Sequence, residues 1–271
     1  MRPTALLPIL LAACTPVELP PAGEDFAIET VSDDTAWSRW FERYTSVFGV
    51  IILASDTVPD DKLMHAAHVM AQYLDNDEDG SPDTAVVDAM VAQSAALIMF
   101  GTPGEATGSG IYVSRAIRGV AAQDLYAEET APPDGFDASL EEVLHLVSDK
   151  GWAEVWPDRL APEDGSELCE AMALARGGHF ERVPGDYPDE AWYHYDDRTC
   201  DYPCMATEYL YWALTSMLGA QADRCDDIAN EWEPCTSTLV EDMDPAVYAL
   251  LADPALGLPT MLPDGSYGPA E

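Results

Sequence analysis

A mainly α-helical domain with minor short strands is what the sequence predicts. Three observations carry that expectation. Residues 62–74 place Leu63, Ala66, Ala67, Met70, Ala71 and Leu74 on one helical face. Residues 205–218 form a second, strongly apolar helical run that stops at Gly219. Only residues 49–55 (GVIILAS) read as a buried strand, with a further short one at 111–114.

The elements follow in chain order. Trp37, Trp40, Phe41, Tyr44 and Phe48 recur at helical spacing, which predicts an amphipathic helix ending near Phe48. The strand at 49–55 comes next, then the helix at 62–74. Residues 84–100 predict one continuous helix (VVDAMVAQSAALIMF is its apolar part). A glycine-rich loop fills 101–110, and Pro132-Pro133-Asp134-Gly135 marks a turn. Helices are expected at 139–150 and 167–176, and residues 177–203 read as irregular and rich in aromatics. Asp244-Pro245 pairs a capping residue with proline at the first helical position, opening a helix to about Ala252. Residues 26–271 are thus expected to form one domain.

Composition narrows the setting. The chain has 271 residues, with 50 acidic against 12 basic, for a formal net charge of −38. So acidic a surface repels nucleic acid and anionic membranes, and it gathers divalent cations. At 48% hydrophobic residues it is no disordered acidic polymer.

The N-terminus opens with Met1-Arg2 and a short apolar run over 5–13, the pattern of a secretory signal peptide. It ends in Leu11-Ala12-Ala13-Cys14, which resembles the lipobox of bacterial lipoproteins. That resemblance implies cleavage after residue 13, acylation of Cys14 and anchoring of the protein to a membrane through its lipid. Thr15 in place of Asp after the cysteine points to the outer membrane or cell surface. Residues 14–25, rich in Pro, Glu and Ala, read as a disordered lipidated tether. In an exported chain the five other cysteines favour disulfides. Cys225–Cys235 is the expected local pair, together with either Cys200–Cys204 or one of those two with Cys169.

The acidic run Asp75-Asn-Asp77-Glu-Asp79-Gly80-Ser81-Pro82-Asp83 has the spacing that a hard, oxygen-seeking cation needs. Carboxylates stand at positions 1, 3 and 5, glycine at 6 makes the sharp turn, the carbonyl of Ser81 comes at 7, and Asp83 at 9. The loop at 75–86 resembles those of EF-hand and thrombospondin type 3 calcium-binding proteins. It differs in having Val86 where an EF-hand has Glu, and Pro82 at position 8. The resemblance implies a calcium site formed by Asp75, Asp77, Asp79, Ser81 and Asp83 between two helices.

A second candidate is Ser139-Leu-Glu141-Glu142-Val-Leu-His145. On a helix Glu141 and His145 are four residues apart and share a face, with Glu142 beside them. The segment weakly resembles the HExxH helix of zinc metallopeptidases, with Glu141 in place of the first histidine. That resemblance implies Glu141 and His145 as metal ligands and Glu142 as the catalytic residue that polarises water. Glu208, the one acid in the apolar run 205–218, is the candidate third ligand, since a lone carboxylate there needs a metal or a hydrogen-bond partner. The same residues also read as a capping box, with Glu142 folded back on the Ser139 amide and His145 half-buried. His65 and His68 form a further pair that could share a metal or lie on a polar face. The interleaved aromatic and acidic residues from Trp192 to Asp197 suggest a carbohydrate- or cation-binding loop, or a disulfide-stapled segment.

Together these features predict an exported, lipid-anchored protein with a structural calcium, acting in surface binding or as a scaffold. The alternative is a metal-dependent hydrolase, with zinc at Glu141, His145 and Glu208. Position decides between them: the hydrolase requires Glu208 beside His145 and Glu141.

Overall fold

Five strands form one mixed sheet in the order β1-β2-β3-β4-β5, in a computed structural model that describes residues 18–268. The expected signal peptide, Cys14 and the first part of the expected tether lie outside the described residues. The strands are β1 (Glu29–Thr30), β2 (Arg43–Val47), β3 (Val50–Ala54), β4 (Ala95–Phe100) and β5 (Ala121–Tyr126). The first three pair antiparallel, whereas β3, β4 and β5 run parallel. Helices α1 (Asp60–Leu74) and α2 (Thr84–Ala92) form the crossover from β3 to β4, and α3 (Pro103–Ser109) lies between β4 and β5. After the sheet come α4 (Ser139–Val147), α5 (Ala153–Val155), α6 (Pro157–Leu160), α7 (Glu167–Ala175), α8 (Tyr202–Met217), α9 (Cys225–Ile228), α10 (Ser237–Met243) and α11 (Pro245–Leu251). No helix of the described residues is long and apolar enough to cross a membrane.

The expected mainly α fold is therefore corrected to α/β: helix accounts for 43% and strand for 11%. Two segments account for most of the difference. The helix expected to end near Phe48 is a short 3-10 turn, Ala36–Arg39, followed by β2. Its aromatic spacing arises from two unrelated elements. Val47 faces Val50 across the hairpin, and the two residues between them, Phe48 and Gly49, both have positive φ, at 52° and 96°. Such a two-residue turn matches the twist of adjacent strands. The helix expected over 84–100 ends at Ala92, Ser94 turns the chain at φ 53°, and the rest is β4. Every residue of β4 is buried, as befits a strand covered on both faces, and periodicity cannot separate such a run from a buried helix. The strand expected at 111–114 is a 3-10 turn, Ile111–Val113.

Side-chain alternation divides the sheet between two cores. Val50, Ile52 and Ala54 of β3, with Leu97 and Met99 of β4, face the larger core, which holds α1, α2, α4, α7 and α8. Ile51, Leu53, Ile98 and Phe100 face a smaller core closed by Trp37, Phe41, Ala106 and Ile111. Residues 18–25, expected within the tether, follow the surface of this smaller core: Leu19 packs against it and the Glu18 carbonyl accepts from Trp37 Nε1 at 2.9 Å. Two disulfides, Cys200–Cys204 and Cys225–Cys235, staple the second half, and Cys169 is buried and free.

Candidate metal centre

The start of α4 is fixed by Asp137. Its Oδ1 accepts from the Ala131 amide at 2.8 Å, from the Ser139 amide at 3.1 Å and from Ser139 Oγ at 2.6 Å. Its other oxygen meets His65 Nε2 at 2.6 Å. Burial pushes the Asp137 carboxyl up, but the His65, Ala131 and Ser139 hydrogen bonds outweigh it and hold it below the usual range. Because Asp137 serves the Ser139 amide, the expected capping box does not form and Glu142 is free to point elsewhere. Tyr73 of α1 donates to the Leu140 carbonyl at 2.8 Å and sets the helix against its neighbour.

Glu142 reaches toward β5, the last strand of the sheet, where Gln123 Nε2 donates to its Oε2. Gln123 shares the strand face of Ala121 and Leu125, the face turned toward the larger core. One turn along α4, His145 is 8% exposed, and neither ring nitrogen has a hydrogen-bond partner. Around it stand Glu141 Oε1 at 3.7 Å from Nε2 and Glu208 Oε1 at 3.5 Å. Glu208 comes from α8, and Tyr195 donates to it at 3.2 Å. The Tyr211 ring meets the imidazole edge-on at 5.6 Å between centroids.

These separations are informative. They are too long for hydrogen bonds, yet one ligand atom from each of Glu141, His145 and Glu208 lies within 4.8 Å of the other two. Two ligands about 2.0–2.1 Å from a tetrahedral ion stand roughly 3.3 Å apart, so the 3.5 and 3.7 Å separations from the imidazole are compatible with ligation of one ion. A buried imidazole with both nitrogens orphaned is rare, because an unmet buried polar group costs about 1–3 kcal/mol. A divalent cation would satisfy the histidine and offset the carboxylates at once, and a donor set of one imidazole and two carboxylates suits zinc.

The electrostatics single out the same groups. Burial pushes the Glu142 carboxyl up to about 8, with Glu141 adding to the rise. Burial, again reinforced by Glu141, holds Glu208 up to about 7. For His145 burial works against the charge, but Glu141, Glu208 and Glu142 outweigh it and raise the imidazolium to about 9. Perturbed groups concentrated at one cleft make it the candidate functional site. An opening of about 260 Å³ leads to it, lined by Gln123, His145, Asp149, Cys204, Thr207 and Glu208.

The acidic loop forms a second group. Asp75, Asp77 and Asp79 bring carboxylate oxygens within 4.8 Å of one another. Asp75 is 2% exposed; its Oδ2 accepts from the Gly80 amide at 2.9 Å and from the Tyr267 hydroxyl, while its buried Oδ1 has no partner. Ser81 and Asp83 line the same cleft. Asp83 Oδ1 caps α2 through the Ala85 and Val86 amides at 3.0 and 3.3 Å, so that oxygen is already engaged.

The other expected candidates separate. His65 pairs with Asp137, and His68 Nδ1 meets the Tyr267 carbonyl at 2.9 Å, so the two histidines serve different partners. Trp192 donates to Asp244 and the buried Tyr193 to the Met205 carbonyl, which makes that aromatic segment a strut. Its Tyr195 nevertheless reaches Glu208 of the candidate centre. Gln123 and Tyr195 are the site residues that the sequence did not announce. Gln123 is the polar inward position of an otherwise apolar strand face, which is a weak signal visible once the strand is known.

The chain matches no protein-family model, and comparison with curated proteins and with solved structures finds no match.

Proposed function

We propose that the protein is a metal-dependent hydrolase whose metal is held by Glu141, His145 and Glu208. One observation carries this reading: a buried imidazole without a hydrogen-bond partner stands at coordination distance from two carboxylates on separate helices. A zinc bound there would supply water acidified to near neutrality and polarise the bond to be cleaved. The charge of a bound cation would favour the ionised form of Glu142, which stands next to a ligand, turned toward Gln123, and would then be suited to take a proton from that water and return it to the leaving group. Gln123 orients the Glu142 carboxylate, and Tyr195 orients Glu208. The expected scaffold role leaves this cluster without a purpose.

A second cation is supported by a separate observation, the unpartnered and buried Oδ1 of Asp75. Calcium at Asp75, Asp77 and Asp79 would neutralise the loop that joins α1 to α2. We also retain anchoring at Cys14, on the strength of the Leu-Ala-Ala-Cys sequence.

Elemental mass spectrometry of protein purified without chelator tests both metals. Near one zinc and one calcium per chain are expected. His145→Ala and Glu208→Ala should each lose the zinc alone, and Asp75→Asn the calcium alone. Zinc content unchanged in both α4 and α8 variants would overturn the metal centre. Glu142→Gln should keep the zinc and lower turnover about 10²-fold or more in a hydrolase screen, the range expected for removal of a general base.

A further inference from the structure

We propose that the sheet face opposite the metal centre is the surface by which the anchored protein lies against a phospholipid bilayer. Arg39, Arg115 and Arg118 would meet lipid phosphates there, and Tyr112 and Val113 would enter the headgroup layer. The inference rests on the anchoring of Cys14 and is independent of the hydrolase chemistry.

Charge is the first support. In a chain of net charge −38, the eighteen residues 106–123 contain Arg115 and Arg118 and not one carboxylate. Both arginines are exposed, and neither forms an ion pair among the described residues. Most other cations are engaged: Arg43 pairs with Asp60, Arg159 with Glu167 and Asp253, and Lys62 is held by the Thr130 and Ala131 carbonyls. Arg39 stands exposed over the Trp40 ring at 5.1 Å, and Trp40 Nε1 donates to the Ser109 carbonyl at 3.1 Å. That hydrogen bond ties Arg39 to the turn that carries the other two. Arginine is the side chain best matched to phosphate, through its planar fork of donors.

Shape is the second support. Tyr112 and Val113, at the 3-10 turn between α3 and β5, are 44% and 79% exposed, and Val113 is the most exposed large apolar side chain among the described residues. Beneath them Ile111 and Ala116 are buried in the smaller core and anchor the turn. Val113 is the apolar tip, Tyr112 beside it presents its ring while its hydroxyl donates to Asp124 Oδ2 at 2.6 Å, and the flanking arginines face the phosphate layer.

Reach is the third. Cys14 precedes Glu18 by four residues, and Glu18 is held by Trp37 while Leu19 packs on the smaller core. Four residues span at most about 14 Å, so lipid on Cys14 keeps this face close to the membrane. The metal centre belongs to the larger core, across the sheet, which leaves its opening free for substrate.

The test uses the full acylated protein in phosphatidylcholine vesicles, whose zwitterionic headgroups present phosphates to the arginines without a net negative charge to repel the acidic chain. An environment-sensitive fluorophore is placed by Val113→Cys and, in a second sample, by Leu174→Cys. Leu174 is 62% exposed on α7, which belongs to the other core, and the buried Cys169 stays unlabelled. Shallow spin-labelled lipid should quench the label at position 113 at least about threefold more than that at 174. Arg115→Glu with Arg118→Glu should abolish the difference while the protein still floats with the vesicles. Equal quenching at the two positions in vesicle-bound protein would overturn the proposed face and leave the anchor standing. Failure to float at all would overturn the anchor and this inference together. Hydrogen exchange on the unsubstituted protein gives a check free of labelling, with slowed amides at 111–119 expected on vesicles and unchanged amides counting against the surface.

Discussion

Asp137 shows how one buried carboxylate can position a site that it does not enter. It accepts three hydrogen bonds at the head of α4 and pairs with His65, so the register of Glu141, Glu142 and His145 depends on it. Its pKa is depressed in the folded protein, so the stabilisation is fully present above the unfolded carboxyl value near 4 and is lost as pH falls through the folded value. Asp137→Asn should therefore cost about 2 kcal/mol at pH 7, the scale of a charge-assisted hydrogen bond. Denaturant unfolding should show that gap close as pH drops below about 4, and a gap independent of pH would mean that the carboxylate charge plays no part. His145 presents the complementary case. Its type and its spacing from Glu141 were visible in the chain, but its orphaned nitrogens became visible only once α8 brought Glu208 beside it.

At the scale of elements, the close passage of α4 into α5 governs whether the centre keeps its shape. Ser148–Trp152 form one π turn between them. A Cβ on Gly151 would stand 2.6 Å from Val86 Cγ1 and 3.3 Å from Met90 Cγ, and both of those residues are buried. Gly151→Ala should destabilise by about 1–3 kcal/mol through overpacking, seen as a melting temperature lower by several degrees. An unchanged melting temperature would show that α2 yields without cost. Helix α1 was legible because its apolar stripe and its length agree with one another and with its burial. Strand β4 was not, since its six consecutive apolar residues fit a helix as well as a buried strand. Strand β5 left still less trace: AAQDLY alternates weakly, and it forms because β4 offers it a parallel edge.

Over the whole molecule, the acidic loop acts as a clasp between distant parts of the chain. Gln72 Oε1 accepts from the Asp264 and Gly265 amides, Asn76 Nδ2 donates to the Leu258 carbonyl, and Tyr267 reaches Asp75. Tyr267 in turn stacks on Phe26 near the start of the described chain. A cation at Asp75 should consequently stabilise the fold as a unit. At calcium about 100 times Kd the gain is about 2.7 kcal/mol. Thermal unfolding with and without calcium should show a higher midpoint with it, absent in Asp75→Asn, and no response in the unsubstituted protein would remove calcium from the loop.

Local spacing determined what depends on a few neighbouring residues. The stripe of α1, the cap at Asp244, the Cys225–Cys235 pair, the Asp75–Asp79 spacing and the Glu141–His145 face all lie within one or two turns of chain, where geometry follows from residue order. Tertiary structure alone decided the rest. Whether 95–100 is strand or helix, and that Gln123, Glu142, Glu208 and Tyr195 gather around one histidine, depend on partners from 13 to 63 residues away along the chain. Burial and pairing of that kind are set by what the sheet and helices bring together, and no local period encodes it.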